Sequence, residues 1–255
     1  MVFEVPFERI AHLVVVPVEL NGVERLFVVD SGIGFTIVRD TLDGCLPSGE
    51  TFTGKRMSGQ EVTVPLGVAP SLRFGELARL DVEVGLLDMR GFPEELADLD
   101  GFLSLAFFAE TPFTVDYPRG RIVVGAPAGG VALPSRVERD GPAVAMHLPL
   151  TLPDGREIEV EVDMGSDALI LDERFLELAA GELRRVDGTD ETGHRYTRRF
   201  ARLPGRIHPT AAPQLAQDDP DAMFQAIIYD GLLGTGYLQR FAVTFDVAAE
   251  TIRLA

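Results

Sequence analysis

Two aspartates in matched turns are the residues of this chain best placed to do chemistry. Leu26-Phe-Val-Val-Asp-Ser-Gly-Ile-Gly34 carries an apolar, β-branched run into Asp30-Ser31-Gly32. Glu159-Val-Glu-Val-Asp-Met-Gly-Ser166 repeats the pattern, with Asp163 placed 133 residues after Asp30. A single Asp-x-Gly turn after a strand is ordinary punctuation, because both residues tolerate the geometry. A pair is different if the two turns meet. Carboxylates about 3 Å apart cannot both ionise, so they share a proton. One can then act as general base on a water while the other hydrogen-bonds to an electrophile.

The elements that would position the pair also repeat. Gly22 and Gly155 each stand eight residues before their Asp, in Asn21-Gly22 and Asp154-Gly155. Such dipeptides between apolar runs signal tight hairpins. Phe35-Thr-Ile-Val38 follows the first turn and Ala168-Leu-Ile-Leu171 the second. Asp100-Gly101-Phe102-Leu103 matches Asp230-Gly231-Leu232-Leu233, 70 and 67 residues after the respective Asp. Thr114-x-Asp116 matches Thr244-x-Asp246, and Ile122 matches Ile252. The chain reads as one unit used twice. Asp116 and Asp246 precede closing turns and are read as hairpin residues.

Between the landmarks the pattern is that of strands. Residues 11–20 and 23–29 form a first hairpin, and Thr51 to Val64 a second with Met57-Ser58-Gly59-Gln60 at its tip. Ser71–Glu76 and Leu80–Leu87 continue as strand, turn and strand. Residues 100–108 lead into a helix, and 172–180 have near-helical apolar spacing. Gly188 to Phe200 is a hairpin whose tip, Thr192-Gly193, lies 134 residues after Ser58-Gly59. Ile158, Val160 and Val162 alternate with glutamates, as in a half-buried strand. The Gly- and Pro-rich stretch 126–141 is expected to be a linker between an N-terminal lobe, 1–125, and a C-terminal lobe, 142–255. Pro204 to Pro220 is expected to be a long polar loop.

A chain of 255 residues, 46% hydrophobic and 25% charged, can bury a sizeable core. Its net charge of -17 argues against nucleic acid and anionic membrane surfaces as partners. No apolar run is long enough to span a bilayer, and no secretory signal is read at the N-terminus. Cys45 is the only cysteine, so no intrachain disulfide forms; a cytoplasmic location is the expectation. His12, His147, His194 and His208 lack ligand spacing, so no metal and no other cofactor is expected. No Gly-x-Ser-x-Gly occurs and Cys45 has no partner, so a Ser or Cys hydrolase has no support.

Taken together, these motifs resemble the aspartic protease superfamily in its single-chain, two-lobe form. The individual lobes look most like the retropepsin-like bacterial aspartyl proteases. The resemblance implies a mostly β fold of two pseudo-twofold-related retropepsin- or pepsin-like β-barrel lobes with a few short helices. It implies Asp30 and Asp163 as the catalytic dyad, supported by Ser31, Gly32, Met164, Gly165 and Ser166. Met57, Ser58, Gly59 and Gln60, with Thr192, Gly193 and His194, fall where substrate-covering flap tips would. Leu232-Leu233-Gly234 matches the motif that braces the Asp loop, and Phe102-Leu103-Ser104 matches it with Ser in place of Gly. The implied activity is endopeptidase cleavage of a peptide or protein substrate by a monomer. Three positions depart from the pattern: Met164 where a hydroxyl is usual, Ile33 where a small residue is usual, and Ser104. Met164 leaves a second reading open, an inactive pseudoprotease whose cleft binds a peptide or protein partner.

Overall fold

A computed structural model describes residues 2–127, 129–189 and 195–255. The chain is mostly β. The first half contributes β1 (Phe3–Pro6), β2 (Glu8–Ile10), β3 (Leu13–Leu20), β4 (Val23–Val29), β5 (Ile37–Arg39), β6 (Leu46–Lys55), β7 (Glu61–Phe74), β8 (Leu77–Leu87), β9 (Gly101–Leu103), β10 (Phe113–Asp116) and β11 (Arg121–Val124). The second contributes β12 (Val131–Pro134), β13 (Arg136–Asp140), β14 (Ala143–Thr151), β15 (Glu157–Val162), β16 (Leu169–Asp172), β17 (Ala180–Thr189), β18 (Arg195–Arg202), β19 (Arg206–Pro209), β20 (Gln217–Asp218), β21 (Asp221–Gln225), β22 (Gly231–Leu233), β23 (Ala242–Asp246) and β24 (Thr251–Leu254). Among the described residues the only α-helix is α1 (Thr235–Leu238), and none is long and apolar enough to cross a membrane.

The hairpins form where the turn residues dictate. Asn21 and Gly22 both have positive φ, +52° and +82°, so β3 and β4 are joined by a type I′ turn. Between β14 and β15 only Gly155 is left-handed, at φ +86°, which closes a longer turn. Each hairpin delivers its second strand, β4 or β15, directly into an Asp-x-Gly turn.

The repeat holds strand for strand. β4 pairs parallel with β9, which pairs antiparallel with β5; β15, β22 and β16 do the same. β5 pairs parallel with β8 and β16 with β21. The β6–β7 hairpin has its counterpart in β17–β18. One sheet belongs to both halves, in the order β1-β11-β10-β23-β24-β12. Its central pair is antiparallel and matches Thr114 with Thr244, whose hydroxyls lie 2.6 Å apart. Equivalent residues facing each other in antiparallel strands mark a local twofold relation between the halves.

The core is shared as well. Phe108 stacks on Phe113 at 4.0 Å and Phe113 on Phe245 at 5.3 Å, carrying aromatic packing across the central strands. The largest buried cluster includes Val14, Val29 and Phe113 from one half and Val162, Met164 and Phe245 from the other.

Three expectations need correction. The stretch 126–141 is not a plain linker, because β12 and β13 lie in it and Leu133 is fully buried. Val131 and Leu133 alternate as a short edge strand does, and flanking Gly and Pro mask that signal. Likewise 204–220 holds β19, β20 and a 3-10 turn, with Ile207 buried beside β14. The helix expected after residue 100 is the short strand β9 and a 3-10 turn (Leu105–Phe108), and the near-helical stretch 173–178 is also 3-10. Both segments close with i→i+3 bonds, Phe107 N–H to Ser104 O and Ala179 N–H to Leu176 O, instead of the i→i+4 bonds of an α-helix.

Candidate active site

The Asp turns are held from below by the middle strands. Asp30 N–H donates to Leu103 O at 3.0 Å, and Asp163 N–H to Leu233 O at 3.1 Å. The Asp-Gly-hydrophobic-Leu motif therefore has a mechanical reason. Asp100 Oδ2 accepts from Leu26 N–H at 3.0 Å, and Asp230 Oδ2 accepts from Glu159 N–H at 3.0 Å. Each carboxylate pins the middle of the strand that runs into the turn. Gly101 and Gly231 are needed next to them. A Cβ on Gly231 would sit 2.7 Å from Ile170 O, and one on Gly101 would collide with Ile37 O.

The two turns interlock. Gly32 N–H donates to Asp30 Oδ1 and Gly165 N–H to Asp163 Oδ1, both at 2.8 Å. Each glycine also lies against the other half's aspartate. A Cβ on Gly165 would sit 2.5 Å from Asp30 Oδ2, and one on Gly32 would collide with Asp163 Oδ1. The absence of side chains here lets the two carboxyls approach closely enough to influence each other's protonation.

The surroundings act on the two carboxyls unequally. Burial raises both carboxyls above the usual aspartate range. On Asp30 the N–H groups of Gly32, Gly165 and Ile33, together with the Asp163 hydrogen bond, oppose the rise. On Asp163 the negative charge of Asp30 adds to burial, and the carboxyl is pushed up to about 8. A proton shared by the pair therefore favours Asp163, whose carboxyl is lifted by burial and by the Asp30 charge, while backbone N–H groups hold Asp30 lower.

Ser31 ties the halves together beneath the pair. Its Oγ donates to Val162 O at 2.7 Å and accepts from Met164 N–H at 2.9 Å. The thioether of Met164 has nothing to return and is wholly buried in the main core. Ser166 instead serves its own half; its carbonyl accepts from Thr235 N–H and Oγ1 at 2.8 and 3.0 Å. Ser104 is accommodated where Gly234 has no room for a Cβ. Its hydroxyl lies 3.3 Å from Thr36 Oγ1 and accepts from Ala106 N–H. Ile33 packs beside the cluster that contains Phe35 and Ile37.

One contact has no local sequence signal. His12 Nε2 lies 2.9 Å from Gly165 O. A carbonyl only accepts, so Nε2 carries the proton. A first-half side chain thus holds the second Asp turn from 153 residues away. Asp116 and Asp246 are turn residues: Asp116 caps the 3-10 turn at 117–119, and Asp246 accepts from Ala249 N–H.

Met57-Ser58-Gly59-Gln60 forms the β6–β7 tip and reaches the second half. Met57 O accepts from Ile228 N–H at 2.9 Å. Gly59 has φ +79°, and a Cβ there would sit 2.9 Å from Ile228 Cγ2. Thr192, Gly193 and His194 lie outside the described residues. Among the described residues no group of three His, Cys, Asp or Glu side chains could hold a metal ion. No protein-family model matches the chain, and comparison with curated proteins finds no relative.

Proposed function

We propose that the chain is an aspartic-type endopeptidase with two retropepsin-like β-barrel lobes and one catalytic dyad between them. The observation that carries this reading is the interlocked pair of turns, in which Gly32 and Gly165 each lie against the other half's aspartate and clear the approach of the two carboxyls. Asp30, as carboxylate, takes a proton from a bound water as that water attacks the scissile carbonyl carbon. Asp163, as acid, donates a hydrogen bond to the carbonyl oxygen and stabilises the tetrahedral intermediate. The proton then passes to the leaving amine, and neither residue forms a covalent bond with substrate. The 57–60 tip covers the substrate and keeps bulk water from the pair.

The test is cleavage of a mixed peptide library, read by mass spectrometry, for the wild type, Asp30→Asn and Asp163→Asn. Each variant is expected to lose cleavage, because a lone carboxylate cannot fill both roles. Unchanged cleavage in either variant ends the reading. The buried, non-bonding Met164 side chain favours a second reading, in which the same cleft binds a peptide or protein partner without cutting it.

A further inference from the structure

The two halves differ in kind at one pair of buried positions beside the dyad. A register-matched row of side chains crosses the first-half sheet: Val15, Val28, Phe102 and Ile37. The equivalent row in the second half is His147, Glu161, Leu232 and Ile170. Two valines are replaced by a histidine and a glutamate, and both are buried, at 3% and 5% exposure. Glu161 stands two residues before Asp163, so its side chain leaves β15 on the same face as the dyad turn.

Of the two, His147 Nε2 is buried with no hydrogen bond, and its nearest acid, Glu138, lies 3.5 Å away. Among the described residues no hydrogen bond or ion pair reaches Glu161. The charges that act on Glu161 are those of Asp163, Asp30 and Glu138, all acidic, and burial raises its carboxyl well above the usual range. Arg136, on the neighbouring strand β13, is already engaged by Glu138 and Glu159 at 2.6–3.0 Å. A carboxyl held in so buried a place beside other acids costs stability, so a packing role does not explain it. The lining beside it is apolar: Ile170 and Leu232, with Met57 from the flap tip and half-buried Tyr229. Ala168 and Leu232 stand where the first half has Phe35 and Phe102, so the side chains there are smaller.

We propose that Glu161 is the specificity residue of a substrate pocket that takes a lysine or arginine side chain beside the scissile bond. The aliphatic stem lies along Ile170, Leu232 and Met57, and the cationic head meets Glu161. The first-half pocket, lined by Val28 and Phe102, takes an apolar side chain on the other side of that bond. A net charge of -17 draws basic peptides toward the molecule. This inference rests on the aspartic endopeptidase reading for the scissile bond but not for the pocket.

The experiment uses the full chain and short peptides that differ only in the residues flanking the scissile bond: lysine, arginine, norleucine, glutamine or glutamate. The wild type is expected to favour lysine or arginine over norleucine by about tenfold or more in kcat/KM, at one flanking position only. Glu161→Gln should remove that preference. Glu161→Val, which copies Val28, should turn it toward norleucine while Tm holds or rises. A wild type indifferent to basic residues, or a Glu161→Val variant that keeps the preference, overturns the proposal. If no peptide is cut, fluorescence anisotropy of the labelled lysine and norleucine peptides decides. Lysine-selective binding that Glu161→Val abolishes supports the pocket while the catalytic reading fails. Equal binding, or none, overturns it.

Discussion

At the scale of residues, the dyad and its support make three testable demands. The first is a pH profile. Cleavage should rise as Asp30 ionises and fall as Asp163 loses its proton near pH 8, giving a mildly acidic to neutral optimum. A rate still climbing above pH 9 contradicts proton sharing. The second concerns stability. A carboxyl raised by folding is protonated in both states below its unfolded pKa, where no stability is lost. Stability is then lost as pH rises through the folded value. Asp163→Asn removes that loss, so its Tm should match wild type near pH 4 and exceed it at pH 8.5. Each kcal/mol recovered raises Tm by about 2–4 °C in a chain of this size. Scanning calorimetry at the two pH values checks this. The third concerns Met164, which leaves Ser31 to make the cross-half bonds alone. Met164→Thr should raise kcat while lowering Tm, because a reciprocal bond of about 1 kcal/mol is gained and a buried thioether lost. No gain in kcat means alignment beneath the dyad is not limiting.

At the scale of elements, the parts legible in the sequence were those written in turn chemistry and alternation. Asn21-Gly22 and the residues around Asp30 and Asp163 specify hairpin, strand and turn locally, and the fold follows them. β12, β13 and β19 were not legible, because each is short and flanked by Gly or Pro, and only tertiary pairing makes it a strand. The same holds for His12 and Glu161. Nothing local marks a histidine that reaches a carbonyl in the other half, and Glu161 looks like its less buried neighbours Glu157 and Glu159 until burial separates it. The β6–β7 hairpin, proposed above to cover the substrate, supplies the prediction at this scale. Gly59 combines φ +79° with close approach to Ile228, so Gly59→Val strains the tip and pushes it off the second half. KM should rise several-fold with little change in Tm, since the tip lies outside the main core; Michaelis–Menten kinetics on one cleaved peptide reads the split.

At the scale of the whole molecule, the two halves are not separable machines. They share the β10–β23 pair, the aromatic stack across it and the largest buried cluster, so unfolding should be one cooperative transition. A calorimetric enthalpy well above the van't Hoff value would show the halves melting apart. In the proposed reading the same sharing makes the dyad a property of the pair, with one aspartate from each half. A double-mutant cycle on kcat/KM with Asp30→Asn, Asp163→Asn and the combined variant tests that unity most directly. Each single variant should fall by about a thousandfold or more and the double variant no further, as residues acting as a unit do. Losses that add, or a single variant that still cuts at the wild-type rate, would contradict it.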